Sequence, residues 1–316
     1  MAPILSGIHH VTAIAGDPQR NLDFYTRVLG LRLVKLTVNF DDPGTYHFYF
    51  GDTAGSPGSI LTFFPWPRAR QGVVGNGQVS ATAFAVSPDA LAFWRGHLEG
   101  HGVSVQDAGE RFNERVLTFT DPDGLPIELV GSRVAPAVHA WSHDAIPQEA
   151  AIAGFHSATI SEEGYEKTAA LLRDFMGLRV IGHEGSRFRY ATAPNVAGGT
   201  IDVLCTPDGR AGRPGTGTVH HIAWRTPNDE HQQAWRARLV ANGYKVSPVM
   251  DRVYFHSIYF REPGGVLFEI ATDAPGFAVD ETPERLGHRL MLPPWLETRR
   301  SAVEQTLPPL ILPPPH

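Results

Sequence analysis

Two histidine pairs and two acidic residues are the side chains whose types and spacing offer chemistry. His9-His10 and His220-His221 each stand in a β-branched, apolar stretch, Gly7-Ile8-His9-His10-Val11-Thr12 and Thr218-Val219-His220-His221-Ile222-Ala223. Glu269 lies inside Val266-Leu267-Phe268-Glu269-Ile270-Ala271, where burying a carboxylate is costly unless a cation accompanies it. Glu128 sits in a similar run, Pro126-Ile127-Glu128-Leu129-Val130. Two imidazoles and one carboxylate on one face form the facial triad of non-haem Fe(II) oxygenases, which leaves positions open for a substrate oxygen and O2. A single histidine on a half-buried strand is usually just a packed residue. A His-His pair recurring at two places argues for a metal. The same sequence also offers a rival set, His156, His220 and Glu269.

These residues are carried by elements that repeat four times, and repeats decide a fold before anything else does. Each copy reads as a strand, an amphipathic helix, then three more strands. The first opens at Gly7–Ile14, with apolar residues Leu22, Tyr25, Val28 and Leu29 at helical spacing and Gly30 at the helix end. Strands are expected near Leu31–Val38, Tyr46–Phe50 and Ser59–Phe64. The second copy begins near Val79, has a helix over Asp89–Glu99, and turns at Asp121-Pro122-Asp123-Gly124. The third begins at Gly154, with a helix over Tyr165–Met176. The fourth begins at Thr218, with a helix over Glu230–Ala241 and closing strands His256–Phe260 and Val266–Ala271. Residues 131–153 read as a linker. A tail follows Ala274, with a helical stretch near Trp295–Gln305 and a proline-rich end, expected to lie as an ordered arm on the body.

Paired β-α-β-β-β units opening with Gly-Ile-His-His-Val-Thr and closing with Gly-Gly-Val-Leu-Phe-Glu-Ile resemble the vicinal oxygen chelate superfamily, which includes glyoxalase I, bleomycin-resistance proteins and extradiol dioxygenases. The resemblance covers the chain to about Asp273. It implies an α+β fold of four βαβββ modules in two domains, residues 1–140 and 150–275, followed by a C-terminal helix and Pro-rich tail over 276–316. In that fold the modules curl into cups, with metal ligands on first and last strands. The four copies then vote on those places. First strands hold His10, Ala81, Ser157 and His221, and last strands hold Thr62, Glu128, Val203 and Glu269. Copies one and four thus supply His10, His221 and Glu269. Threonine is a poor ligand, so Thr62 leaves a three-ligand site rather than the four expected of an isomerase. Choosing His156 and His220 instead needs a one-residue slip, which turns a strand side chain to the other face. Glu128, lacking an imidazole partner, is expected to pair with an arginine.

Within the superfamily, His9-His10-Val11-Thr12, Gly154-Phe155-His156-Ser157, His220-His221 and Pro263-Gly264-Gly265-Val266-Leu267-Phe268-Glu269 resemble the hydroquinone ring-cleaving dioxygenases. That resemblance implies His10, His221 and Glu269 as iron ligands, and His9, Thr12, His220, Arg252 and Tyr259 as neighbours of the substrate. Thr12 shares a strand face with His10, and Arg252 would stabilise phenolate charge. Tyr259 is suited to hold or pass a proton. Strict alternation points His9 and His220 away from their neighbours, and only a twisted strand end would bring them back. The expected reading is a Fe(II) enzyme, Mn(II) also suiting the donor set, that cleaves a hydroquinone or catechol-type ring with O2. The alternatives are a non-oxidative metalloenzyme, an isomerase or thiol transferase, and a metal-free protein that sequesters aromatics.

Bulk properties agree. The 316 residues carry a formal net charge of −6 without a basic block, so nucleic acid is not the expected partner. One cysteine, Cys205, excludes an intrachain disulfide. With no signal-like start and no apolar run long enough to span a bilayer, a cytoplasmic protein free of membrane contact is expected. Self-association is left open.

Overall fold

The computed structural model describes residues 3–133, 140–141, 145–193, 196 and 198–313. Parts of the expected 131–153 linker, and Pro314 and Pro315 of the tail, lie outside the described residues. Four modules follow one another. The first is β1 (Ile8–Ala15), β2 (Arg32–Asn39), β3 (Asp42–Gly51) and β4 (Ile60–Pro65). The second is β5 (Gln78–Val86), β6 (Gln106–Arg111), β7 (Glu114–Thr120) and β8 (Pro126–Gly131). The third is β9 (Phe155–Glu162), β10 (Arg179–Glu184), β11 (Arg187–Ala191) and β12 (Thr200–Cys205). The fourth is β13 (Thr218–Thr226), β14 (Met250–Asp251), β15 (Phe255–Arg261) and β16 (Leu267–Pro275).

Each module places a helix between its first two strands, as the periodicity predicts. In the first, Asp17 accepts from the Arg20 N–H and Pro18 opens helix Pro18–Asp23. A π-turn, Phe24–Val28, then leads to Gly30 at φ 62°. The third repeats this with Glu166–Ala170, a π-turn over Leu171–Phe175, and Gly177 at φ 80°. In the fourth, Asn228 caps Asp229–Ala241 by accepting from His231 N–H.

The strands form two curled eight-stranded sheets, ordered β14-β15-β16-β13-β1-β4-β3-β2 and β10-β11-β12-β9-β5-β8-β7-β6. Module one therefore shares a sheet with module four, and module two with module three, so the sheets cut across the division 1–140 and 150–275. The junctions are antiparallel, β1 on β13 and β5 on β9, while each module's first and last strands run parallel. Strand alternation sets the faces: on β3, Tyr46, Phe48 and Phe50 join the main core, leaving His47 and Tyr49 for the concave side. No helix among the described residues is long and apolar enough to cross a membrane.

The tail lies on the body, as an ordered arm should, and covers the free edge of β2. Met291 N–H donates to Leu36 O, Thr37 Oγ1 donates to Met291 O, and the Tyr46 phenol donates to Pro308 O. Lys35, fully buried, clamps the arm through Asp280 at 2.6 Å and Glu281 at 2.5 Å. The helical stretch is split into Pro294–Glu297 and Arg300–Thr306.

Candidate metal centre

The middle of the first sheet brings together one residue from β1, one from β13 and one from β16. His10 Nε2 lies 3.3 Å from His221 Nε2 and 3.4 Å from Glu269 Oε2, and His221 Nε2 lies 2.9 Å from the same oxygen. Among the described residues these three form the one group of three or more potential ligands whose donor atoms lie within 4.8 Å of one another. Ligands held about 2.0–2.2 Å from a common ion are roughly 3–3.4 Å apart, so the three edges fit a cation at their centre. Glu269 is fully buried, and its Oε2 has no hydrogen-bond partner: the close nitrogens lack hydrogen-bond geometry towards it. Its other oxygen accepts from Ser257 Oγ at 2.5 Å. A buried carboxylate oxygen left bare between two imidazole nitrogens fits a divalent cation.

Charge follows the same pattern. Burial alone would push Glu269 up, but His10 and His221 hold it well below the usual carboxylate range. Burial lowers His221, and it lowers His220 to about 3. His9 falls well below its ordinary value, through burial and then His10. His9, His220 and His221 therefore favour the neutral imidazole near pH 7, the form in which a histidine can bind a metal.

The first histidine of each pair returns beside its neighbour, and the cause is a β-bulge rather than a twisted strand end. Pairing of β1 with β13 steps from Ile8↔Trp224 to His10↔Ala223, and from Thr12↔His221 to Ala13↔Val219, so His9 and His220 are the extra residues. His9 Nδ1 then lies 2.9 Å from His10 Nδ1, and His220 Nδ1 2.7 Å from His221 Nδ1. The His10 and His221 rings are thereby held at Nδ1, the nitrogen opposite the Nε2 atoms that converge with Glu269. Arg252 and Tyr259 reach the cavity above the triad, with Arg252 Nε 3.4 Å from the Tyr259 oxygen and Nη2 2.9 Å from Asp41 Oδ2. Burial, then Glu269, raises Tyr259 well above an ordinary phenol. Thr12 is buried and bonds Thr62 Oγ1 at 2.8 Å.

Sequence reasoning missed three residues here: Ser257 under Glu269, and His47 and Tyr49 on the cavity wall. His47 Nε2 lies 2.9 Å from Thr62 Oγ1, and its Nδ1 2.9 Å from the Tyr49 oxygen. The period-2 alternation of Tyr46-His47-Phe48-Tyr49-Phe50 puts His47 and Tyr49 on one face, without marking what that face lines, and Ser257 has no such mark.

The second sheet carries the same bulges, at Ser80 and His156, and so fixes the register of the repeats. His156 is not assembled with His220 and Glu269. It belongs to β9, where its Nε2 lies 2.9 Å from Glu114. One repeat assignment is corrected: the last-strand place of module three is Asp202, opposite Thr159, whereas Val203 faces the core. Parallel pairing had to be read one residue earlier, which the apolar run Ile201-Asp202-Val203-Leu204 obscured. In this cup arginine guanidinium groups face the carboxylates. Arg111 bonds Glu128 at 2.6 Å, as expected of a partnered Glu128, and Arg187 and Arg189 bond Asp202 at 3.0 and 2.8 Å.

The chain as a whole is similar to known proteins. A protein-family model described as Glyoxalase/Bleomycin resistance protein/Dioxygenase superfamily matches residues 7–129 and 154–270. A Bacillus subtilis (strain 168) relative named "Putative ring-cleaving dioxygenase MhqO" is 52% identical over 309 residues, covering 98% of each chain. The "Chlorohydroquinone/hydroquinone 1,2-dioxygenase" of Sphingobium indicum is 35% identical over 309 residues, covering 96% of each. Among solved structures, one described as a "putative dioxygenase" from Bacillus subtilis subsp. subtilis str. 168 superposes with a TM-score of 0.94 at 52% identity, covering 99% of both chains.

Proposed function

This chain belongs to the glyoxalase/bleomycin resistance protein/dioxygenase superfamily, and on that premise we propose that it is a Fe(II)-dependent dioxygenase that cleaves the ring of a hydroquinone or catechol-type aromatic with O2. The observation that carries the reading is the three-ligand set His10, His221 and Glu269, with Thr62 in the place of a fourth ligand and engaged by Thr12 and His47. The names of the relatives in Bacillus subtilis and Sphingobium indicum support the same reaction class. The residues suit Mn(II) as well as Fe(II).

Bound iron would supply a redox-active centre with room for a phenolate oxygen and O2 side by side. The chain's own residues do the rest. Ser257 holds one Glu269 oxygen and leaves the other between His10 and His221, which together would hold the ion. His9 and His220 fix the tilt of the ligand rings. Phe40, Phe64 and Phe255 give the cavity apolar walls for a flat ring. Arg252 places a permanent positive charge beside the Tyr259 oxygen, where it stabilises a phenolate and orients the Tyr259 hydrogen. Tyr259, held protonated, is placed to donate a hydrogen bond to a substrate oxygen.

The test is metal analysis of the wild type beside His221→Ala, with oxygen uptake on both. The expected result is one iron per chain and one O2 consumed per diol in the wild type, with both lost in the variant. Iron-loaded wild type that consumes no O2 across a panel of hydroquinones and catechols would refute the reading.

A further inference from the structure

The third strands of modules one and four carry a matched pair of phenols. On β15, Tyr259 stands opposite Glu269; on β3, Tyr49 stands opposite Thr62. Glu269 and Thr62 hold the same last-strand place, since Ala223 pairs with one and Thr12 with the other, each two residues beyond its histidine. Tyr49 is therefore the internal counterpart of Tyr259. The residue two before each phenol matches too: Ser257 bonds Glu269, and His47 bonds Thr62. The curl of the sheet brings both phenols to one cavity, on either side of the triad.

The Tyr49 oxygen has hydrogen-bonding capacity left over. A phenol has one hydrogen to donate and two lone pairs, and among the described residues its one hydrogen bond is to His47 Nδ1. If Nδ1 carries the hydrogen, the phenol hydrogen is free; if Tyr49 donates, its lone pairs are. Either tautomer leaves a position for a hydroxyl in the cavity. A catechol brings both oxygens to one ion. A hydroquinone cannot, because its second oxygen lies across the ring, and that oxygen needs a polar partner away from the metal.

We propose that Tyr49 binds the ring hydroxyl that does not meet the metal, and that His47 is the positioning residue that holds the Tyr49 phenol in place. This rests on the reading of the site as a diol-binding metal centre. It assigns the module-one wall to recognition of a para-diol and the module-four wall to the chemistry.

The experiment is anaerobic equilibrium binding of hydroquinone and of phenol to the Fe(II)-loaded protein. A neutral hydrogen bond is worth about 0.5–1.5 kcal/mol, so the wild type should bind hydroquinone about twofold to tenfold more tightly than phenol. Tyr49→Phe, which removes one oxygen and keeps the ring, should bring that ratio to about one with phenol affinity unchanged. His47→Gln, acting at one remove, should lower it part of the way. A ratio that survives Tyr49→Phe, or a wild-type ratio near one, overturns the proposal. A wild type that shows the ratio but takes up no O2 with hydroquinone or with a catechol leaves Tyr49 assigned and refutes ring cleavage instead.

Discussion

Ser257→Ala asks whether the hydroxyl beneath the triad orients a ligand or only supports the fold. Ser257 and Glu269 are both fully buried, and the serine is the one hydrogen-bond donor to Glu269 Oε1 among the described residues. A hydrogen bond to a charged group is worth about 1.5–3 kcal/mol, or roughly 10- to 150-fold in an equilibrium constant at 1.4 kcal/mol per tenfold. Where that loss appears depends on the serine's role. If it merely satisfies a buried carboxylate, metal-free and metal-loaded protein lose it equally and the affinity does not change. If it fixes the carboxylate so that Oε2 faces the two imidazoles, the loss appears in binding, at about 10–100-fold as for other groups that orient ligands. Competition with a chelator measures the affinity, and urea unfolding with and without metal measures the partition. The expected outcome is at least tenfold weaker iron binding. An affinity within twofold of wild type, with equal destabilisation of both forms, would refute the orienting role.

Three further outcomes follow from the same coordinates. Arg252→Leu should keep the metal but lower kcat by about 10²–10³, the usual cost of removing a group aimed at developing charge; a change under threefold in steady-state oxygen uptake would speak against it. Lys35→Met leaves the Asp280 and Glu281 carboxylates without their cation and should cost about 3–5 kcal/mol in urea unfolding, with the arm released first; a loss below 1 kcal/mol would show that the clamp is idle. Burial, then the neighbouring Glu262, pushes Glu162 up to about 8. Its folded value lies above its unfolded one, so its contribution is fully present below about pH 4.5 and is lost as pH rises towards and through 8. Glu162→Gln should flatten that slope and stabilise the protein by about 1–3 kcal/mol above pH 8, and parallel pH–stability curves would count against the pairing.

The repeat was legible because each module restates the same physical problem: a strand, a helix ended by glycine, and three strands. His10, His221 and Glu269 were readable for the same reason, as polar residues in apolar runs at matching places. What escaped was mostly register and partnership. Asp202 was hidden because a run buried on both faces shows no alternation to mark its inward residue. His9 and His220 broke the alternation rule because a bulge adds one residue, and bulges leave no reliable local mark. His47, Tyr49 and Ser257 have ordinary types for a strand. They become conspicuous only when β3 and β15 are seen to flank the same cavity.

The strands that hold the triad are made first and last, with the whole second sheet between them in the chain. Residues 78–205 carry the whole second sheet in one contiguous stretch, whose widest pairing, β5 on β9, spans roughly 70–80 residues, while β1 waits for β13 across roughly 200 residues. Such late closure is slow by topology alone. During synthesis the carboxylate arm of the triad emerges after everything it must meet. A polypeptide stalled before β16 carries both imidazoles but not Glu269, so a nascent chain lacks the complete set of three candidate ligands until its last strand is made.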